Sequence, residues 1–283
     1  MTGNGSLAAH AVLSKLSFAM RSEIGRVRAT NEDYSDAFVP TTPDDAWDRG
    51  PLFAVADGMG GHAAGEVASR VAVQAALETW SRGAPSAPVS GLRGSIRAAN
   101  IAVYDAAMEP GHRGMGTTIL LLTLAGREAI VGHVGDSRAY LVRRSVCTQL
   151  TADHSRVGEM VRMKLLTPEE AAVHPARSQL TRSLGADVAV QVDLTRQPVE
   201  QGDTVLLCTD GLWDLVSRAE MAASVAGAGE HPSAPPAAAV DELVELALKR
   251  GAPDNVTVLT VSVTSALPIP AAAGRRLFRR GRS

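Results

Sequence analysis

Residues 117–142 read TTILLLTLAGREAIVGHVGDSRAYLV. Three β-rich stretches, Thr117 to Leu124, Ala129 to Val134 and Ala139 to Val142, are divided by Gly126-Arg127 and by Gly135-Asp136-Ser137. Apolar runs this short, broken by glycine-containing turns, predict neighbouring strands in an antiparallel meander. The run from Ile119 to Ala125 falls far short of the roughly 20 apolar residues a membrane helix needs, and it reads as a strand.

Working outward, residues 41–51 read as a loop, and Leu52 to Ala56 form a short buried strand that ends at Asp57. Val67, Val71, Ala75 and Leu77 repeat at helical spacing between Ala63 and Trp80, and Ser81-Arg82-Gly83-Ala84-Pro85 stops that helix. A second helix is predicted from Val89 to Met108. Residues 153–187 are polar and helix-prone, with a helix start at Thr167-Pro168-Glu169-Glu170, and read as a flap over something. Strands resume near Val190-Asp193 and at Thr204-Cys208. Ala222 to Ala239 is an interrupted helix or loop, Val240 to Lys249 a helix, and Val256 to Val263 an alternating final strand. No repeat of 20–50 residues is present.

The chain has 283 residues, 45% of them apolar, with 28 basic against 30 acidic side chains. This is the composition of a globular protein, and its length allows one large domain or two. No basic start followed by a clean apolar stretch opens the chain, because Lys15 interrupts it. Of the two cysteines, Cys208 lies in an apolar run and reads as a buried thiol, which fits a reducing cytosol. Five arginines crowd the last nine positions, leaving residues 1–274 with 23 basic and 30 acidic side chains, a balance of −7. That tail reads as a disordered solubilising segment or as a dock for an acidic partner or membrane surface.

Several carboxylates share one local setting, an apolar strand followed by an acid and a small polar residue. They are Val55-Ala56-Asp57-Gly58, Val134-Gly135-Asp136-Ser137, Leu207-Cys208-Thr209-Asp210-Gly211 and Pro253-Asp254-Asn255. One Asp-Gly after a strand is an ordinary turn; four such strand ends suggest charges held together. Gathered carboxylates repel, and protonation or a multivalent cation relieves them. Oxygen ligands without a His or Cys cluster suit Mg²⁺ or Mn²⁺. Gly58-Met59-Gly60-Gly61-His62-Ala63 matches a dinucleotide fingerprint. The match fails, because Glu78 falls inside a predicted helix and Asp57 would face a pyrophosphate. No G-x-S-x-G elbow anchors a Ser-His-Asp hydrolase around His154.

Together with Gly25-Arg26-Val27-Arg28-Ala29-Thr30-Asn31-Glu32-Asp33, Gly116-Thr117-Thr118, Asp153-His154-Ser155 and Asp254-Asn255-Val256-Thr257, these motifs stand in the order of the metal-dependent serine/threonine protein phosphatases of type 2C. The chain resembles the compact bacterial members from about Ser17 to Val263. The resemblance implies an α+β four-layer sandwich, two antiparallel sheets flanked by antiparallel helices, with a two-metal Mn²⁺ or Mg²⁺ centre at one edge. One site then needs the whole stretch, so the expected organisation is an N-terminal extension (1–16), a single catalytic domain (17–265) and a basic tail (266–283).

By that match Asp57 bridges the two ions, the Gly58 carbonyl binds one and Asp210 and Asp254 complete the other. Asp136 with Asp210 corresponds to a third metal position in bacterial relatives, and Ser178 falls where one relative's flap approaches that ion. Glu32 and Asp33 are expected to hold metal-bound waters, while Asn255 and Thr117-Thr118 are expected to be scaffold. Arg28 matches the arginine that grips the substrate phosphate, a task suited to a planar fork of donors. The family's eukaryotic members often carry a histidine, the proposed general acid, directly after Asp-Gly; here Met59 stands there, and His62 or a metal-bound water is left for the task. The implied function is hydrolysis of phosphoserine and phosphothreonine by a metal-activated water, on phosphorylated proteins, opposite a bacterial Ser/Thr kinase. The chain ends without the membrane segment of several relatives, which implies a cytoplasmic monomer. A catalytically silent sensor on the same scaffold is the alternative. A nuclease would need a basic groove, which the −7 body does not favour.

Overall fold

The computed structural model describes residues 15–40, 50–60, 64–82, 88–228 and 235–265. The loop expected at 41–51, most of the N-terminal extension, His62 and the basic tail lie, wholly or nearly so, outside them. All strand pairs among the described residues are antiparallel.

One sheet runs β1 (Leu16–Glu23), β11 (Val256–Val263), β10 (Thr204–Cys208), β7 (Arg138–Arg143), β8 (Val146–Gln149). The other runs β2 (Asp33–Phe38), β3 (Leu52–Met59), β5 (Ile119–Ala125), β6 (Glu128–Val134), β9 (Asp193–Pro198), and the two-residue β4 (Gly116–Thr117) pairs with the end of β3. Helices α1 (Ala64–Arg82) and α2 (Pro88–Ala106) cover the second sheet, and α6 (Arg218–Ala228) and α7 (Pro235–Lys249) cover the first. Between β8 and β9 lie the short helices α3 (Arg156–Arg162) and α4 (Pro168–Ala172), and α5 (Asp210–Trp213) directly follows β10. The result is the expected four layers, helices, sheet, sheet, helices.

Strand alternation explains three cores. On β3, Phe53 and Val55 point between the sheets while Leu52, Ala54 and Ala56 face α1 and α2. On β10, Val205 and Leu207 join the inter-sheet core, and Leu206 and Cys208 join the core under α7. A central strand covered on both faces must be apolar at every position, which is why these strands read as continuous apolar runs. Cys208 is a buried free thiol, as expected, and Cys147 is free as well.

The sequence placed a strand at Val190-Asp193; the strand is Asp193–Pro198. Val190 and Val192 instead pack their side chains against the helix-side core. The expected helix start at Thr167 is a full capping box, with Thr167 Oγ1 accepting from the Glu170 amide and the Glu170 carboxylate accepting from the Thr167 amide. The interrupted region resolves into α6 and the start of α7, with residues 229–234 between them outside the described residues.

Candidate metal centre

The C-terminal end of β3 carries Asp57, and its two neighbours fix what surrounds it. On one side β2 places Asp33 directly opposite Asp57. On the other, the Thr118 amide and the Thr117 hydroxyl both donate to the Asp57 carbonyl, at 2.8 Å each, and Thr118 Oγ1 accepts from the Asp57 amide at 2.9 Å. Thr118 Oγ1 also bonds Ser137 Oγ at 2.8 Å, tying this strand end to the turn that holds Asp136. Thr117 and Thr118 are thus backbone supports, as expected of them. Gly58 admits no side chain: a Cβ would lie 2.0 Å from the Gly65 carbonyl oxygen and 2.6 Å from that of Glu32.

Asp210 opens α5, immediately after β10, and Asp254 immediately precedes β11, the strand beside β10. Asn255 supports the arrangement as scaffold. Its amide side chain donates to the carbonyls of Ile24 and Thr30 and accepts from the Glu32 amide at 2.8 Å. The Gly25 turn lies against this segment at a positive φ of 80°, where a Cβ would be 2.2 Å from the Asp254 carbonyl oxygen. Arg28, exposed at the rim, donates from Nη2 to Asp254 Oδ2 at 2.7 Å.

The charges of this edge act on one another. Burial, with Asp33, Asp210, Asp136 and Asp254 adding to it, pushes Asp57 well above the ordinary carboxylate range. Burial and then Asp136, Asp254 and Asp33 do the same to Asp210. Asp136 is pushed up to about 6 by burial, with Asp153 next. Asp33 is pushed up to about 7 by burial, against the hydroxyls of Thr257 and Thr209, which both donate to its Oδ2 at 2.7 and 2.8 Å. Glu32 is raised mainly by burial, with Arg28 opposing. Asp33, Asp136 and Asp254, distant in sequence, therefore raise the proton affinity of both Asp57 and Asp210 at one edge of the sandwich. Among the described residues, the only cation paired with any of these acids is the exposed Arg28, on Asp254. An all-oxygen donor set crowded in this way fits hard divalent cations.

Three participants were not singled out from sequence. Asp214, one helical turn after Asp210, is raised by burial and ion-paired to Arg177 of the flap at 2.9 Å. The i, i+4 spacing from Asp210 was its signal. Arg138 donates from Nε and Nη2 to Asp153 at 2.7–3.2 Å and lies 3.5 Å over the Trp213 ring. Nothing local in the sequence links those three. Ser178 is exposed and hydrogen-bonds to none of the carboxylates; its neighbour Arg177 is what joins the flap to this edge.

A second group, His133, His154 and Asp193, brings three ligand atoms within 4.8 Å of one another, tighter than any other such set among the described residues. It is a poorer metal site than the looser carboxylate edge. The Gly135 amide donates to His154 Nδ1 at 3.0 Å, and Asp193 Oδ2 lies 3.2 Å from Nε2. The Arg182 guanidinium already fills the cation position, 2.9 Å from that Nε2 and 2.7 Å from Asp193 Oδ1. The His133 and His154 rings are stacked nearly parallel, 4.6 Å between centroids, so their in-plane lone pairs do not converge. Burial, the neighbouring His133 and Arg182 hold His154 down to about 4, hence neutral near pH 7.

A family model described as Protein phosphatase 2C matches residues 28–246. The chain is 41% identical over 252 residues to the serine/threonine protein phosphatase PstP of Mycobacterium tuberculosis, covering 88% of this chain and 45% of PstP. It is therefore similar to somewhat less than half of that longer protein. It is 36% identical over 247 residues to the serine/threonine phosphatase stp of Listeria monocytogenes, covering 85% of this chain and 93% of that one. The catalytic domain of PstP, solved in complex with two manganese ions, superposes with a TM-score of 0.75 at 37% identity, over 88% of this chain and 99% of the other. The order of strands, the carboxylate edge and these likenesses agree, and the chain belongs to the protein phosphatase 2C family.

Proposed function

We propose that this protein hydrolyses phosphoserine and phosphothreonine esters on proteins, at a centre of two Mn²⁺ or Mg²⁺ ions. The observation that carries the reading is the elevation of Asp57 and Asp210 by one shared set of acids, Asp33, Asp136 and Asp254; both are half-buried carboxylates at strand ends of the two facing sheets and form no ion pair among the described residues. Asp57, the Gly58 carbonyl, Asp210 and Asp254 would hold the two ions. Asp136 with Asp210 would hold a third, and Glu32 and Asp33 would orient waters. Such ions, when bound, neutralise phosphate charge and bring a water from pKa 15.7 towards about 7.

The rest falls to the chain's own side chains. Arg28, at the rim, exchanges Asp254 for two phosphate oxygens of the substrate, presenting a planar pair of donors. Thr209 and Thr257 both bond Asp33 Oδ2, which leaves Oδ1 to accept a hydrogen bond from a water at the centre. No helix among the described residues is long and apolar enough to cross a membrane. A cytoplasmic monomer acting opposite a Ser/Thr kinase is the setting we infer.

The test is hydrolysis of a phosphothreonine peptide with Mn²⁺ present or chelated, in the wild type and in Asp210→Asn. Turnover should require Mn²⁺ and vanish in the variant. Near wild-type turnover by Asp210→Asn would remove the two-metal assignment.

A further inference from the structure

Beside the carboxylate edge, on the side of β3 away from Asp33, the surface opens into a groove of about 550 Å³. Met59, Tyr104, Met108, Arg113, Met115 and Ala186 are among its walls. Its position is fixed by strand pairing: Gly58 lies opposite Thr117 and Met59 opposite Gly116, so the groove begins one residue beyond Gly58. Gly116 lets the returning flap come down against the strand, since a Cβ there would stand 3.0 Å from the Leu184 carbonyl oxygen and 3.6 Å from Met59 Cγ.

Its lining has no His, Cys or carboxylate and so offers no chemistry of its own. It offers recognition instead. Met59 and Met108 make a soft, polarisable wall that adapts to apolar side chains of different shapes, with the buried Met115 beneath them. Met108 is 59% exposed and stands open to a ligand. Arg113, exposed at the mouth, is the one charged residue of the lining and forms no ion pair among the described residues.

We propose that this groove receives the residues flanking the phosphorylated side chain of a protein substrate, an apolar side chain against the methionines with a carboxylate near Arg113. Continuity with the candidate centre argues for this occupant. An extended chain advances about 3.3 Å per residue, so one whose phosphate sits at Asp57 and Arg28 reaches the groove within about two or three positions. The proposal rests on the phosphatase reading.

The experiment compares kcat/KM, with Mn²⁺, for matched phosphothreonine peptides. One set carries Leu three positions to either side of the phosphothreonine, followed by Glu, and the other carries Gly and Ser at those places. The small ester p-nitrophenyl phosphate, which ends before the groove, is the control. The Leu-Glu peptide on one side should be favoured about tenfold, through KM, equivalent to about 1.4 kcal/mol. Ala107→Trp, which fills the groove, and Arg113→Glu should each erase that preference and leave p-nitrophenyl phosphate turnover unchanged. Equal values for all peptides in the wild type, or a preference that survives both variants, would overturn the groove assignment. A wild type that fails to hydrolyse p-nitrophenyl phosphate would overturn the phosphatase reading itself, and the groove assignment with it.

Discussion

Arg28 Nη2 lies 2.7 Å from Asp254 Oδ2, joining residues 226 positions apart at the open edge of the sandwich. Asp254 raises the proton affinity of Asp57 and Asp210, and Arg28 lowers that of Glu32. The guanidinium therefore sits among acidic neighbours, Asp254, Glu32 and Asp57, at a point solvent still reaches, which is also where an incoming phosphate would arrive.

Removing Arg28 should therefore weaken the capture of phosphate and leave the fold intact. A hydrogen bond to a charged group contributes about 1.5–3 kcal/mol, so Arg28→Ala should raise KM for a phosphothreonine peptide about 10- to 100-fold, and the inhibition constant of inorganic phosphate should rise with it. Arg28→Lys keeps the charge but loses the planar fork and should recover only part of the loss. An unchanged phosphate inhibition constant in Arg28→Ala would contradict the assignment.

Stability should depend on pH and on divalent ions together. Asp33 and Asp136 titrate at about 7 and about 6 in the folded chain against the usual 3.8, and Asp57 and Asp210 are raised too. The folded state thus binds more protons than the unfolded one between about pH 4 and pH 7, and the stability these groups contribute is lost as pH rises through that window. With a chelator present, Tm should be lower at about pH 8 than at about pH 5.5. Saturating Mn²⁺, which competes with those protons, should raise Tm more at the higher pH. Calorimetry showing a larger Mn²⁺ effect at the lower pH would be the opposite result.

Thr257→Val removes one of the two hydroxyls that donate to Asp33 Oδ2 while nearly preserving shape. Groups that orient metal-bound waters or ligands typically affect metal affinity 10- to 100-fold. Titration calorimetry should show Mn²⁺ binding weakened by about tenfold, and the pH at which activity rises should move upward, because Asp33 loses a donor that favours its charged form. A Mn²⁺ affinity equal to wild type would show Asp33 to be purely structural.

Arg138 is the centre of a buried arrangement, paired with Asp153 at 2.7 Å and stacked on Trp213 at 3.5 Å. Arg138→Met leaves the largely covered Asp153 carboxylate with the Gln149 amide but no cation, which costs on the order of 2–3 kcal/mol, below the cost for a fully buried pair. Chemical denaturation should show that loss. Arg138→Met with Asp153→Leu should recover much of it, since an apolar pair avoids the unpaired charge.

The central strands were legible because both their faces are buried. Leu52 to Ala56 and Thr204 to Cys208 are short apolar runs, and Val256 to Val263 interleaves valine with small hydroxyl residues, patterns that fit covered strands. Edge strands were harder to read. β9 (Asp193–Pro198) and β1 (Leu16–Glu23) are mostly half-exposed and mix charge with apolar residues, so no alternation marks them. β8 (Val146–Gln149) follows a turn in which Arg144 and Ser145 adopt positive φ of 49° and 64°, without the glycine or asparagine that normally announces such a turn. Within the candidate centre, the strand-end position of Asp57, Asp136 and Asp210 could be read locally, whereas Asp214 acquires meaning only once Asp210 is seen to start a helical turn.

Sequence alone determined that four carboxylates stand at strand ends, that the strands between them are buried, and that the motifs follow the order of a phosphatase family. Local patterns suffice for this, because periodicity and turn residues record what each segment must bury. Tertiary structure decided which charges meet. The carboxylates at 33, 57, 136, 210 and 254 are separated by 24, 79, 74 and 44 residues, and only strand register places Asp33 opposite Asp57. It also decided that the His133, His154 and Asp193 group already holds a guanidinium, and that a methionine-walled groove with one arginine opens beside Gly58. Electrostatic interaction falls off with distance through space and not along the chain, so the proton affinities that mark this edge follow from the folded arrangement.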